Sequence, residues 1–151
     1  MCLYTKYKKP IVAVDDIVCY KMCQKLKNNV FAAPYIRNYV YKIGQLHTET
    51  NFQTVAEPNS IGKLYRVSVG FHSFVNKYDA MRFTRDEHDR SIFKCIIPKG
   101  SRYFIGKYYN DGDSYCSDNI IIGVDEKPYE PSLIDKIGYV FVDMYESFLK
   151  I

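Results

Sequence analysis

Apolar and polar residues alternate along this chain in short stretches separated by turn-forming clusters. Over residues 63–69 Leu64, Arg66 and Ser68 fall on one side and Tyr65, Val67 and Val69 on the other, the period-two signature of a strand with one buried face. Ile17–Lys25 alternates more loosely but is rich in β-formers, and Lys27-Asn28-Asn29 supplies a turn before residues 30–33, which predicts a hairpin. Residues 35–43 are again rich in Tyr and β-branched side chains, with Tyr39, Tyr41 and Ile43 on one face and Gly44 ending the run. Residues 47–60 are polar, carry Pro58 and have no period, so they read as a loop. Asn76 is placed to cap a short helix with Asp79 in its first turn and Tyr78, Met81 and Phe83 facing inward; the charged residues 82–90 close that unit as an exposed helix end and loop.

The second half is more strongly β. Ile92–Ile97 is a compact apolar run suited to a central strand, and Pro98-Lys99-Gly100 breaks it before residues 102–109 begin another. Asn110-Asp111-Gly112-Asp113 is a turn, and residues 115–123 follow with Ile120-Ile121-Ile122, so a three-stranded antiparallel meander is expected. Pro128 and Pro131 mark a linker. Beyond it, Ser132 with Asp135 forms a capping pair, and Leu133, Ile137, Val140, Phe141, Met144, Phe148 and Leu149 form a helical stripe, although residues 139–142 also read as a strand. These elements predict an α+β fold: a mostly antiparallel sheet, continuous or split, with a short central helix and a C-terminal amphipathic helix packed on it.

The length of 151 residues fits a single domain able to bury a core without disulfides or metals. A hydrophobic content of 47% with 25% charged residues excludes wholesale disorder. Fifteen Tyr and nine Phe without any Trp suit half-exposed sheet faces, or a surface that contacts a partner at low entropic cost. The net charge of +4 is concentrated, since the first fifty residues hold eight Lys or Arg against three Asp or Glu. Its longest run, Lys6-Tyr7-Lys8-Lys9, is a weak nucleic-acid footprint or an ordinary solvated surface. Five cysteines, Cys2, Cys19, Cys23, Cys95 and Cys116, form no disulfide framework and no zinc-ligand pairs, which favours buried reduced thiols in a cytoplasm and no metal. No stretch of about eighteen apolar residues is present for a membrane helix, and no signal-peptide pattern opens the chain.

Two segments offer chemistry. Gly70-Phe71-His72-Ser73-Phe74 places a titratable ring after a strand and before a helix; His72 there is a general-base candidate with Ser73 beside it, or a structural ring packed in a tight strand-to-helix turn. In Pro98-Lys99-Gly100-Ser101-Arg102 the cations Lys99 and Arg102 flank a glycine turn and present an anion site or simply an exposed turn, since Walker spacing is absent.

Tyr41-x-x-Gly44, the Gly70–Phe74 pentapeptide with Ala80 downstream, Ile97-Pro98-Lys99-Gly100-Ser101-Arg102-Tyr103 and Ser117-Asp118 together resemble small uncharacterised proteins of gut bacteria, of Bacteroides type, and their phages. That resemblance implies a cytoplasmic protein of phage or mobile-element origin and no defined reaction. A more distant similarity is to ADP-ribosyltransferase-like folds, in which Arg66 or His72 would match the strand-borne Arg or His and Ser73 the serine strand. The late glutamate has no match: Glu126 and Glu130 fall in the Pro-containing linker, and Asp118 is one methylene shorter. It implies NAD or a nucleotide as ligand and a carboxylate that stabilises charge as nicotinamide departs.

The expected function is therefore a non-catalytic binding or interaction protein with a protein partner and no cofactor. The alternative is a degenerate NAD- or nucleotide-binding domain with His72, Ser73 and Asp118 as catalytic candidates and Arg66, His72, Lys99 and Arg102 as ligand contacts. A third expectation is weak nucleic-acid binding by the basic first fifty residues, recognised by steep salt dependence.

Overall fold

A computed structural model describes residues 2–33, 39–59, 62–82, 90–108 and 112–124. In chain order the strands are β1 (Leu3–Thr5), β2 (Ile11–Val12), β3 (Ile17–Lys25), β4 (Phe31–Ala32), β5 (Val40–Tyr41), β6 (Leu46–Thr48), β7 (Glu57–Pro58), β8 (Tyr65–Val67) and β9 (Phe71–Phe74). Helix α1 (Lys77–Arg82) follows, then β10 (Arg90–Ile97), β11 (Arg102–Lys107), β12 (Asp113–Ser117) and β13 (Asn119–Ile122).

The two longest strands, β3 and β10, carry apolar residues on both faces and so settle at the centre of the sheet. They pair antiparallel from Ile17↔Ile97 to Gln24↔Arg90. One face of the pair buries Cys19, Cys23, Phe93, Cys95 and Ile97 with Phe31, Phe71, Ile120 and Ile122. The other buries Ile92 with Leu3, Val67, Phe74, Phe104, Tyr108 and Cys116, and α1 drops Ala80 and Met81 onto it. The resulting architecture is a mostly antiparallel open sheet with few helices, ordered β6-β13-β10-β3-β9-β12-β11-β1-β8-β7, with β2 on β11 and the β4–β5 pair on β3.

The hairpin after β3 forms as the sequence predicts, with Gln24↔Ala32 and Lys25↔Phe31 in register. Its turn is a short 3-10 segment in which Asn28 takes a left-handed conformation, φ 62°, that asparagine tolerates better than most residues. Asn76 caps α1: its Oδ1 accepts the Tyr78 amide at 2.9 Å.

Four expectations are corrected. Residues 47–60 are not simply loop, because β6 pairs with β13 and β7 with β8, and Phe52 and Ala56 are buried; their apolar positions are too sparse to show a period. The meander does not form, because only β11 and β12 make a hairpin. The chain bends at Asp118, and β13 crosses to β10, where Ile120 and Ile122 join the cysteine-bearing core. Tyr78 is 64% exposed rather than inward, because a six-residue helix has only one narrow buried face and Ala80 and Met81 occupy it. The pentapeptide is not a turn: β9 is a fully buried strand between β3 and β12. The predicted C-terminal helix at 132–149, Phe83, the charged stretch 83–89 and residues 110 and 111 of the predicted turn lie outside the described residues.

Candidate functional site

Adjacent residues of a strand point to opposite faces, and β9 divides the candidate pair in that way. The His72 ring lies 5.2 Å from the Tyr108 ring, on the face that holds Phe74 and Leu3. Burial first, and then the charge of Lys21, push the imidazole down to about 3, against a smaller opposing pull from the carbonyls of Val67 and Gly70. Its Nε2 is buried without a hydrogen-bond partner. A neutral ring is the form that tolerates such a position.

Ser73 faces the other core. Its Oγ is buried without a hydrogen bond of ordinary geometry, near Cys19. That thiol is drawn below its usual range by Cys95 first, then, against burial, by Ser73 and Lys21.

Asp118 and Arg102 are brought together. The Arg102 amide donates to Oδ1 at 2.9 Å and its Nε to Oδ2 at 3.0 Å, while the Asn119 side-chain amide donates to Oδ1 at 2.9 Å. The carboxylate thus fixes the bend between β12 and β13, and the guanidinium lies 5.4 Å from the Phe52 ring centre. Arg66 is far out on the sheet edge, where its Nη2 meets the Glu57 carboxylate at 3.0 Å and both side chains are half or more exposed. Lys99 is exposed in the turn before β11, with its backbone amide donating to Asp16 Oδ1 at 2.8 Å. His72, Ser73, Arg66 and Asp118 therefore hold four separate local contacts and do not converge.

The residues that do converge are others. Lys21 is 5% exposed on the cysteine-bearing face, and its Nζ donates to the His72 carbonyl at 2.6 Å. Burial works against the ammonium; Tyr41 and then Cys23 and Cys95, once ionised, more than offset it, so the net direction is upward. Those partners titrate only in alkaline solution, since burial raises Tyr41, Cys95 and Cys23, the last to about 12. At neutral pH the amine therefore rests on the His72 carbonyl and on Tyr41, whose ring centre is 5.5 Å away. Around it stand Tyr39, His47 and Phe71, with Tyr39–Tyr41 at 5.3 Å, Tyr41–His47 at 5.4 Å and Tyr39–Phe71 at 6.0 Å between ring centres. Tyr103 and Tyr115 continue this face at 5.7 Å from each other. A signal for Lys21 was present in the sequence: it sits at i±2 from Cys19 and Cys23, so a strand must point it the same way they point.

Lys21→Ala is expected to destabilise by about 2–4 kcal/mol, as other buried long side chains do when truncated. Lys21→Met keeps the volume and removes the desolvated charge while leaving one carbonyl unpaired, so it stays within about 1 kcal/mol of the parent. Urea midpoints of the two variants check this; equal losses would show that the charge itself stabilises the fold.

Among the described residues no group of three His, Cys, Asp or Glu side chains is placed to hold a metal, and no helix is long and apolar enough to cross a membrane. Comparison with family models, curated proteins and solved structures returns no match to this chain.

Proposed function

We propose that the chain is a binding module that docks a protein partner on the aromatic side of its sheet, in the phage or mobile-element setting implied by its motifs. The observation that carries this reading is the run of rings from Tyr39, Tyr41, His47 and Phe71 to Tyr115 and Tyr103, of which Tyr39, His47, Tyr103 and Tyr115 keep part of their surface open to solvent. Tyrosine and histidine rings present apolar area with a polar tip and few rotors to freeze, which is how contact surfaces gain affinity at low entropic cost. A transferase reading requires a carboxylate and a base at one point, and here Asp118 is engaged by Arg102, Arg66 by Glu57, and His72 faces away from Ser73. The five cysteines are free thiols, which supports placement in a reducing cytoplasm.

The test is photocrosslinking from benzoylphenylalanine placed at position 39 or 103, with position 78 on the helix as control. One discrete adduct is expected from 39 and 103 and none from 78, and Tyr39→Ser with Tyr103→Ser should weaken that complex at least about tenfold. Equal labelling from all three positions would overturn the proposal, and thermal stabilisation by NAD that Asp118→Ala abolishes would overturn it in favour of the transferase alternative.

A further inference from the structure

The basic run Lys6-Tyr7-Lys8-Lys9 is exposed, and the fold gives its first two members a specific place. Four strands along the sheet from β3, a cleft of about 600 Å³ opens where β1 runs out beside β11. That volume is in the range of small-molecule sites, roughly 300–1,000 Å³. Its floor is built from backbone and small groups. Gly106 lets β1 come so close that an added Cβ would collide with the Tyr4 carbonyl oxygen. The Thr5 hydroxyl, 1% exposed, donates to the Ile105 carbonyl at 2.7 Å and accepts the Tyr7 amide at 3.2 Å, which fixes the turn carrying Lys6 and Tyr7 over the cleft. Farther along, the Lys8 carbonyl accepts the Ala56 amide at 2.8 Å, so the run is tied down at both ends.

The walls have complementary chemistry. Lys6 and Lys107 supply two cations, and neither has a carboxylate within ion-pair distance among the described residues. Tyr4 and Tyr7 line it as aromatic residues, with the Lys6 ammonium 5.4 Å from the centre of the Tyr7 ring. Leu64 and Ile105 supply apolar surface. Asp113, directly across from Lys107 in the β11–β12 register, is the one carboxylate at the rim among the described residues. Two cations beside two aromatic rings and one acid match the three parts of a ribonucleotide: a phosphate for the lysines, a planar base for the tyrosines, and a pair of ribose hydroxyls for the acid to accept.

We propose that this cleft binds a ribonucleotide, either free or as one unit of a single-stranded RNA. It shares no residue with the aromatic face, so it stands or falls independently of the protein partner.

Calorimetry on the full chain tests it, with AMP, UMP, dAMP, adenosine and inorganic phosphate as separate ligands and an eight-residue single-stranded RNA as the other arm. Saturable binding of AMP or UMP is expected, at least about tenfold weaker for adenosine, for phosphate and for dAMP. Lys6→Glu combined with Lys107→Glu should abolish it while the unliganded protein stays folded, its melting temperature lowered only slightly because both side chains are exposed and the new carboxylate at position 107 faces Asp113. Tyr7→Ala should weaken it severalfold. If RNA binds far more tightly than AMP with a steep salt dependence, the natural source is a strand; comparable affinities with a shallow slope identify the free nucleotide. No saturable binding by any nucleotide or by the RNA, or binding untouched by the double charge reversal, would falsify the site.

Discussion

Gly106→Ala is expected to lower the unfolding free energy by about 3 kcal/mol. The obstruction is main chain: the added Cβ would overlap the Tyr4 carbonyl oxygen and sit 3.1 Å from Thr5 Cα, and neither can swing away as a side-chain tip can. Relief requires β1 to move off β11. That movement breaks the Tyr4↔Lys107 register and the Thr5 hydroxyl bond to Ile105, and it lifts Leu3, which is fully buried, from the core. Gly62→Ala is the matched control, since a Cβ there meets nothing within 4 Å; its effect should remain within about 0.5 kcal/mol. Urea midpoints at an unchanged denaturant slope measure both. Equal midpoints for the two variants would mean that β1 and β11 do not approach this closely, and the floor of the nucleotide cleft would fall with that contact. With the approach intact, Gly106→Ala should also weaken nucleotide binding, because Lys6 and Tyr7 ride on the strand it displaces.

The parts of this fold legible in the sequence are those written in local chemistry. The β3–β4 hairpin follows from an apolar run, an Asn-rich turn and a second apolar run, and the helix start follows from one asparagine whose side chain replaces a missing backbone partner. Pairing between distant strands is not written that way. Alternation assigns a residue to a face but does not name the neighbouring strand, so β13 reads as the third strand of a meander although its partner is β10. The bend that sends it there depends on Asp118 meeting Arg102 across sixteen positions, a contact without local signature. The candidate residues failed to converge for a related reason. His72 and Ser73 are neighbours in sequence, which in a turn would put them on one site, whereas the extended conformation of β9 puts a sheet between them. The cleft was half legible: Lys6 and Tyr7 stand out in the sequence, but Lys107 and Asp113 join them only through the pairing of β1 with β11 and β11 with β12.

Acidification below pH 6.5 is expected to destabilise this protein through His72 in particular. Unfolded, the ring titrates near its ordinary value of 6.5; folded, burial and the Lys21 charge hold it down to about 3. Between these values the unfolded chain binds a proton that the native state refuses, so unfolding becomes more favourable as pH falls. The stability tied to the neutral ring is fully present above pH 6.5 and drains away as pH drops toward 3. At pH 4.5 the loss is about 2–3 kcal/mol, with a ceiling near 5 kcal/mol at the lower end. His72→Phe isolates the effect, because it keeps an aromatic ring against Tyr108 and removes both the titration and the unpartnered Nε2. The variant should lie within about 1 kcal/mol of the parent at pH 7, the lost ring hydrogen bonding roughly offsetting the removed orphan. At pH 4.5 it should be more stable than the parent by about 2 kcal/mol, with all carboxylates common to both proteins. Parallel profiles would mean that the ring protonates normally in the fold and is reached by water. A ring that stays neutral down to about pH 3 is too weak a base to take up a proton at physiological pH, and its one open nitrogen lies buried on the side of β9 away from Ser73, so the segment that most resembles a catalytic motif is better suited to joining two cores than to moving protons.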